Sequence, residues 1–227
     1  MIHTRFNPGL NGSLHLGHIY TLLVNECVAH SSGGRFYVRF DDTSYASIKS
    51  GRAETVLHYQ RKTIEWLEIE VDGWFKQSEV LEYVQAELKF RGFDVSEEKE
   101  ESGYVLPISV RLGNKFIYYP YAPRQTAERV VMDNMLGITH IIRGEEFSTE
   151  FSYYNYVCQM LHYLVPEFWY LPRLSSWDGD ISKTNGGYTI AEFQKNGYSP
   201  QDIKEILAKS CLANPSNGWN LYNIKGK

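Results

Sequence analysis

The opening of the chain constrains the fold more than any other stretch. An apolar start, Met1-Ile2, runs through Thr4-Arg5-Phe6 into a loop containing Pro8, Gly9, Asn11 and Gly12, and then into Leu14-His15-Leu16-Gly17-His18. Leu16, Ile19, Leu22 and Leu23 fall on one face at helical spacing, so the pattern reads strand, turn-rich loop, helix. Two histidines therefore stand in the first turn of a helix that follows a strand. The unpaired N–H groups and positive dipole end there favour phosphate. Imidazoles three residues apart project to one side and can donate to phosphate oxygens as charge builds up in a transition state.

The rest of the chain continues the alternation. Residues 2–6 and 35–41 read as strands, 14–31 as a helix closed by Gly33-Gly34, and 51–68 and 78–91 as helices. Between 92 and 121 the character changes: a charge run, Glu97-Glu98-Lys99-Glu100-Glu101, precedes a hairpin pattern, Tyr104–Leu112 and Phe116–Tyr119 around Gly113-Asn114. Helix 125–135, strand 138–142, helix 146–163, a short strand near 168–171 and a helical tail over 190–210 complete the order. Alternating strands and helices imply a mostly parallel sheet with ligands outside the strand carboxyl ends, where Arg5, Asp41 and Arg143 fall.

With 227 residues the chain can bury a sizeable core as one large domain. A formal net charge of -4 suits a soluble enzyme and argues against a dedicated nucleic-acid binder. No apolar stretch approaches the roughly 18 residues that cross a membrane, and no signal peptide precedes the first strand, so a cytoplasmic protein with no membrane partner is expected. Cys27, Cys158 and Cys211 lack C-x-x-C spacing and suggest neither a zinc site nor a disulfide framework.

Several segments then match one family in order. Thr4-Arg5-Phe6…Gly12…His15-Leu16-Gly17-His18, Arg39-Phe40-Asp41-Asp42-Thr43, Gln77-Ser78-Glu79, Gly137-Ile138-Thr139-His140-Ile141-Ile142-Arg143-Gly144-Glu145-Glu146 and Asp180-Ile181-Ser182-Lys183-Thr184 resemble the catalytic domain of class I aminoacyl-tRNA synthetases, glutamyl/glutaminyl subgroup. The resemblance implies an α/β, Rossmann-like nucleotide-binding core with a parallel sheet and a short α+β insertion. Residues 1–91 and 122–227 would be the halves of the core and 92–121 the insertion, with no anticodon-binding domain. In architecture the chain is similar to the short glutamyl-queuosine tRNA synthetase paralogues, although it lacks the cysteine-rich zinc site typical of their insertion.

The implied activity is ATP-dependent activation of glutamate or a similar amino acid as an adenylate. Its acceptor would be non-standard: a modified tRNA or DNA nucleotide, a small molecule or a carrier. The alternatives are a minimal enzyme charging tRNA and a non-catalytic regulatory paralogue. ATP would enter as substrate with Mg²⁺ on its phosphates, against His15, Gly17, His18, Glu146, Ser182 and Lys183, of which His15, His18 and Lys183 would be catalytic. Gly17 would admit the adenine. Arg5, Asp41, Gln125 and Arg143 would bind the amino acid, Arg143 favouring glutamate. The chain departs from the pattern at several points: Asp41 replaces a glutamate, a shift of roughly 1.5 Å; Gln125 and Thr126 replace a tyrosine and an asparagine; Met132-Asp133 replaces an acidic pair; and Asp180 replaces the first signature-loop lysine.

Overall fold

The computed structural model describes residues 1–95, 108–112, 115–119, 123–172, 175–176, 179–180 and 189–212. Strand β1 (Thr4–Phe6) leads to helix α1 (Leu16–Ser31), β2 (Phe36–Phe40), the short α2 (Tyr45–Ser50), α3 (Ala53–Trp66) and β3 (Gly73–Lys76). A 3₁₀ turn, Gln77–Glu79, precedes α4 (Leu81–Phe90), followed by β4 (Phe93–Val95), β5 (Ile108–Leu112), β6 (Lys115–Tyr119) and α5 (Pro123–Met135). Then come β7 (His140–Gly144), a 3₁₀ turn over Glu145–Glu150, α6 (Phe151–Leu161) and β8 (Glu167–Leu171). Two-residue strands β9 (Ser175–Ser176) and β10 (Gly179–Asp180), α7 (Ile190–Lys195) and α8 (Pro200–Leu212) finish the described chain.

Strands β1, β2 and β3 form a parallel sheet, and β7 and β8 a second parallel pair. The two abut with β7 beside β1. The Thr139 and His140 N–H groups both donate to the His3 carbonyl, at 3.0 and 3.2 Å, and the His3 N–H donates to Thr139 Oγ1 at 2.9 Å. Asn25 of α1 reinforces the seam, giving its Nδ2–H to the Ile142 carbonyl at 3.0 Å while its backbone carbonyl accepts from the Thr4 hydroxyl at 2.8 Å. The spatial order is thus β3-β2-β1-β7-β8, and it reverses between β1 and β7. Such a reversal opens a crevice at the strand carboxyl ends.

Period-two alternation then decides what each face carries. Phe36, Val38 and Phe40 of β2, Phe6 of β1 and Ile142 of β7 join one core with α1, α3, α7 and α8. Ile141 joins a second core with α4, α5 and α6. Consequently Arg5, Arg39 and Arg143, each at the alternate position of its strand, share the face that α5 and α6 cover.

Strand β3 has no counterpart in the sequence reading: Gly73-Trp74-Phe75-Lys76 is too short to show a pattern, and register with β2 makes the strand. The hairpin expected from Tyr104 is antiparallel β5–β6, with β4 added as a third strand; its Gly113-Asn114 turn lies outside the described residues. The tail is two helices, broken at Gly197, whose φ of +81° only glycine adopts readily. Gly34 lets β1 start: a Cβ there would overlap the Ile2 carbonyl. Among the described residues no helix is long and apolar enough to cross a membrane.

At the amino edge of the sheet, His30 on α1 bridges Asp72 through Nε2 (3.0 Å) and Glu26 through Nδ1 (3.3 Å). Asp72 also accepts from the Phe36 N–H at 2.7 Å. Burial by itself would lower His30, but its two carboxylate partners outweigh this and raise it above 6.5. Burial would raise Asp72, but the Phe36 N–H and His30 hold it below 3.8. A raised histidine stabilises fully below its unfolded value and loses that contribution as pH climbs through the folded one; a depressed carboxylate does the reverse. The stability difference between wild type and His30→Gln, followed by urea unfolding, is therefore expected to be largest between 3.8 and 6.5. It should shrink on either side, and a pH-independent difference would show the bridge to be inert.

Candidate active site

His15 is the N-cap of α1, in extended conformation, and His18 is its third helical residue. The Gly17 N–H donates to His15 Nδ1 at 3.2 Å, and the His15 N–H donates to His18 Nδ1 at 3.3 Å. This is a capping box made of two imidazoles, whose rings stack with centroids 3.7 Å apart. The geometry fixes the tautomers. Nδ1 must be unprotonated to accept, so the neutral ring carries its proton on Nε2, away from the helix backbone. Two parallel N–H donors at a helix N-terminus suit phosphate oxygens. Gly17, expected to admit adenine, has a nearer use. A Cβ there would meet the His15 ring at 3.1 Å, so the missing side chain seats the imidazole.

On the face of the sheet that α5 and α6 cover lies a charged floor. Asp133, 1% exposed, accepts from Arg39 Nη1 at 2.8 Å, Arg5 Nε at 3.0 Å and the Tyr154 hydroxyl at 2.9 Å. Burial alone would raise its carboxyl, but Arg39 and Arg5 hold it below the ordinary carboxylate value. Burial lowers Arg39, with Asp133 partly restoring it. Tyr154 is pushed well up by burial and by Asp133, and the Cys158 thiol to about 12 for the same two reasons, which makes it inert. Closer to solvent, Asp41 Oδ2 accepts from Arg129 Nη2 at 2.9 Å, and Glu150 accepts from Arg143 Nη1 at 3.0 Å. Arg143 is lowered by burial, offset by Glu150, with Arg5 and Arg129 near enough to add to the lowering.

Surrounding segments hold these groups in place. Gln60 of α3 clamps the loop before the histidines, giving Nε2–H to the Gly9 and Gly12 carbonyls at 3.0 and 2.8 Å. Asp42 caps the Gln77-Ser78-Glu79 turn, accepting from the Ser78 N–H at 2.9 Å and from its hydroxyl. Glu146 is exposed in the turn after β7 and folds back over Gly144, where a Cβ would collide with its carboxylate. Thr189 bridges His15, and the Ile190 N–H donates to the Leu14 carbonyl at 3.0 Å, so the chain returns beside the histidines immediately after residues 181–188.

The structure links Arg5, Asp41 and Arg143 through Arg129 and Glu150, sets His15, Gly17 and His18 together at the start of α1, and leaves Gln125 half-buried in the first turn of α5. Ser182 and Lys183 lie outside the described residues. Arg5 and Asp41, expected to grip the ends of an amino acid, are already ion-paired within the protein. Sequence reasoning passed over Arg39, Arg129 and Glu150. The signal for Arg39 was available: an arginine between Val38 and Phe40 in an apolar strand must find a buried partner.

Two expectations follow. Asp133→Asn keeps the shape but strands two buried guanidiniums, and should cost about 3–5 kcal/mol in urea unfolding. His15→Ala should lose about 1 kcal/mol as a broken cap, whereas His15→Asn, whose Oδ1 can stand in for Nδ1, should stay within about 0.5 kcal/mol of wild type. Equal losses in the two His15 variants would remove the capping role.

The family of class I tRNA synthetases (E and Q), catalytic domain, matches residues 1–89 and 109–217. Glutamate–tRNA ligase 1 of Novosphingobium aromaticivorans is 24% identical over 93% of this chain and 61% of its own length. Glutamate–tRNA ligase 1 of Rubrobacter xylanophilus is 28% identical over 91% and 53%. The crystal structure of a glutamate tRNA ligase from Elizabethkingia meningosepticum, in complex with its amino acid, superposes with TM-score 0.72 at 17% identity, covering 98% of this chain and 64% of that one. The chain spans roughly 60% of the length of such relatives. With the motifs in order on a doubly wound sheet and most of the chain matched, the protein belongs to the class I glutamyl/glutaminyl-tRNA synthetase catalytic-domain family.

Proposed function

We propose that the crevice activates glutamate or a glutamate-like acid with ATP. The carboxylate oxygen attacks the α-phosphorus, the bond from that phosphorus to the bridging oxygen breaks, and pyrophosphate departs with the electron pair. The nucleophile is already ionised, so no general base is needed and catalysis reduces to positioning and charge neutralisation. The observation that carries this reading is the histidine pair, whose Nδ1 atoms are committed to the α1 backbone and whose Nε2–H groups are thereby defined as donors. Lys183, as in the family pattern, would join them on the phosphates, with Ser182 beside it and Glu146 toward the nucleoside. Mg²⁺ would arrive on the triphosphate and neutralise its charge there.

Arg143 at the end of β7 and Arg5 at the end of β1 support an acidic side chain on the substrate, since fork-shaped donors suit carboxylates. The acceptor stands open between a tRNA 3′ end and a non-standard nucleophile. The names of the relatives favour tRNA at least as well, and the mild negative charge favours an acceptor that needs no extended basic surface.

Amino-acid-dependent exchange of pyrophosphate into ATP, with and without bulk tRNA, tests the reading. Exchange with glutamate or a close analogue is expected, and His15→Ala and Lys183→Ala should each lower it about 100-fold or more. His15→Asn, despite its sound cap, should fall with them. Silence from the wild type in every condition, or exchange indifferent to both substitutions, overturns it.

A further inference from the structure

Asp41 is the carboxylate at the end of β2, at the mouth of the crevice, and both of its oxygens are occupied. Oδ1 accepts from the Ser44 N–H at 3.0 Å and the Thr43 hydroxyl at 3.4 Å, and Oδ2 from Arg129 at 2.9 Å. The Arg129 side chain is itself mostly buried, with Nη1 4.0 Å from Glu150 and an Nε–H that has no acceptor. In the floor beside it, two guanidiniums, Arg5 and Arg39, share the carboxylate of Asp133, while Arg143 pairs with Glu150. Arg39, 1% exposed, also keeps a buried Nη2 without an acceptor. An ammonium entering here meets a carboxylate already paired with Arg129, above a floor in which two guanidiniums share one carboxylate. A second carboxylate meets the complement.

We infer that Arg129 sets specificity by occupying Asp41, so that the crevice selects a diacid lacking a free ammonium over an α-amino acid. The inference rests on the reading above that this crevice holds the acid to be activated, and it narrows the substrate to the deaminated or N-blocked side of the glutamate-like class. Arg129 acts on the charged end of the substrate next to the reacting carboxylate. Its removal should therefore change which acid binds more than how fast a bound acid reacts.

Calorimetric binding of glutarate and L-glutamate, which differ only in the ammonium group, tests this directly. Wild type should bind glutarate at least ten-fold tighter. Arg129→Gln should narrow or invert that ratio, and Arg129→Lys should keep it. Because the ratio compares two ligands on one preparation, a misfolded fraction does not alter it, and the lysine variant separates charge from packing. Glutamate binding as tightly as glutarate to wild type, a ratio unmoved in Arg129→Gln, or binding of neither acid overturns the inference. Pyrophosphate exchange with the same two acids distinguishes the two readings. The expected binding ratio without exchange would leave the specificity standing and remove the adenylation. Exchange driven preferentially by glutamate would do the opposite.

Discussion

One carboxylate holds the arrangement together. Asp133 lies on α5 and accepts from β1 through Arg5, from β2 through Arg39 and from α6 through Tyr154. Two strands and two helices therefore meet at a group shielded from solvent. Taking three charges out of water is expensive, and a hydrophobic cluster of the same volume would often be at least as stable. What the ionic cluster adds is placement: the fork of Arg39 and the side chain of Arg5 have one orientation compatible with the same oxygen, and that orientation fixes the sheet against α5. The charged pairs nearer the mouth are built on this base, since Arg129 rises from the same helix as Asp133 one turn earlier.

The histidine pair solves a different problem with the same economy of parts. A helix N-terminus leaves N–H groups unpaired, and a serine or aspartate cap would satisfy them with oxygen. Here imidazole Nδ1 does so twice, which leaves each ring neutral, oriented and ready to donate from the opposite nitrogen. On the proposed reading, capping and phosphate recognition are then one structural act. Gly17 suits it, because a Cβ there would press on the His15 ring at 3.1 Å. The bridge from Thr189 to His15 adds that the chain is anchored at the cap itself where it re-enters the described residues at Thr189.

Much of this was legible in the residues. Helical spacing after His15, alternation in Phe36–Phe40 and the Gly-Ile-Thr-His turn before β7 placed the parallel strands and the crevice, because each signal is local. Thr139 shows why such a turn is informative: its hydroxyl and N–H both engage His3, so one residue sews β7 to β1. What could not be read was the pairing of charges across distant segments. Asp133 looked like the remnant of an acidic pair, and nothing in its neighbours announced two arginines 128 and 94 residues away. Strand β3 was equally silent, since four residues shaped by register carry no pattern of their own.

The departures from the family pattern also make more physical sense together than singly. A shorter acid at Asp41 draws the carboxylate back toward the backbone, where Ser44 and Thr43 can hold it, and opens room in front of it. Arg129 fills that room and restores the charge balance that Asp41 alone would tip. Either change in isolation leaves an unpaired group at the edge of a low-dielectric crevice, at a penalty of roughly 1–3 kcal/mol or more for a charge. The two belong to one rearrangement, while His15 and His18 keep their capping geometry at the start of α1. On the proposed reading, a site altered at Asp41 and retained at the histidines is what a change of substrate within an unchanged reaction would leave behind.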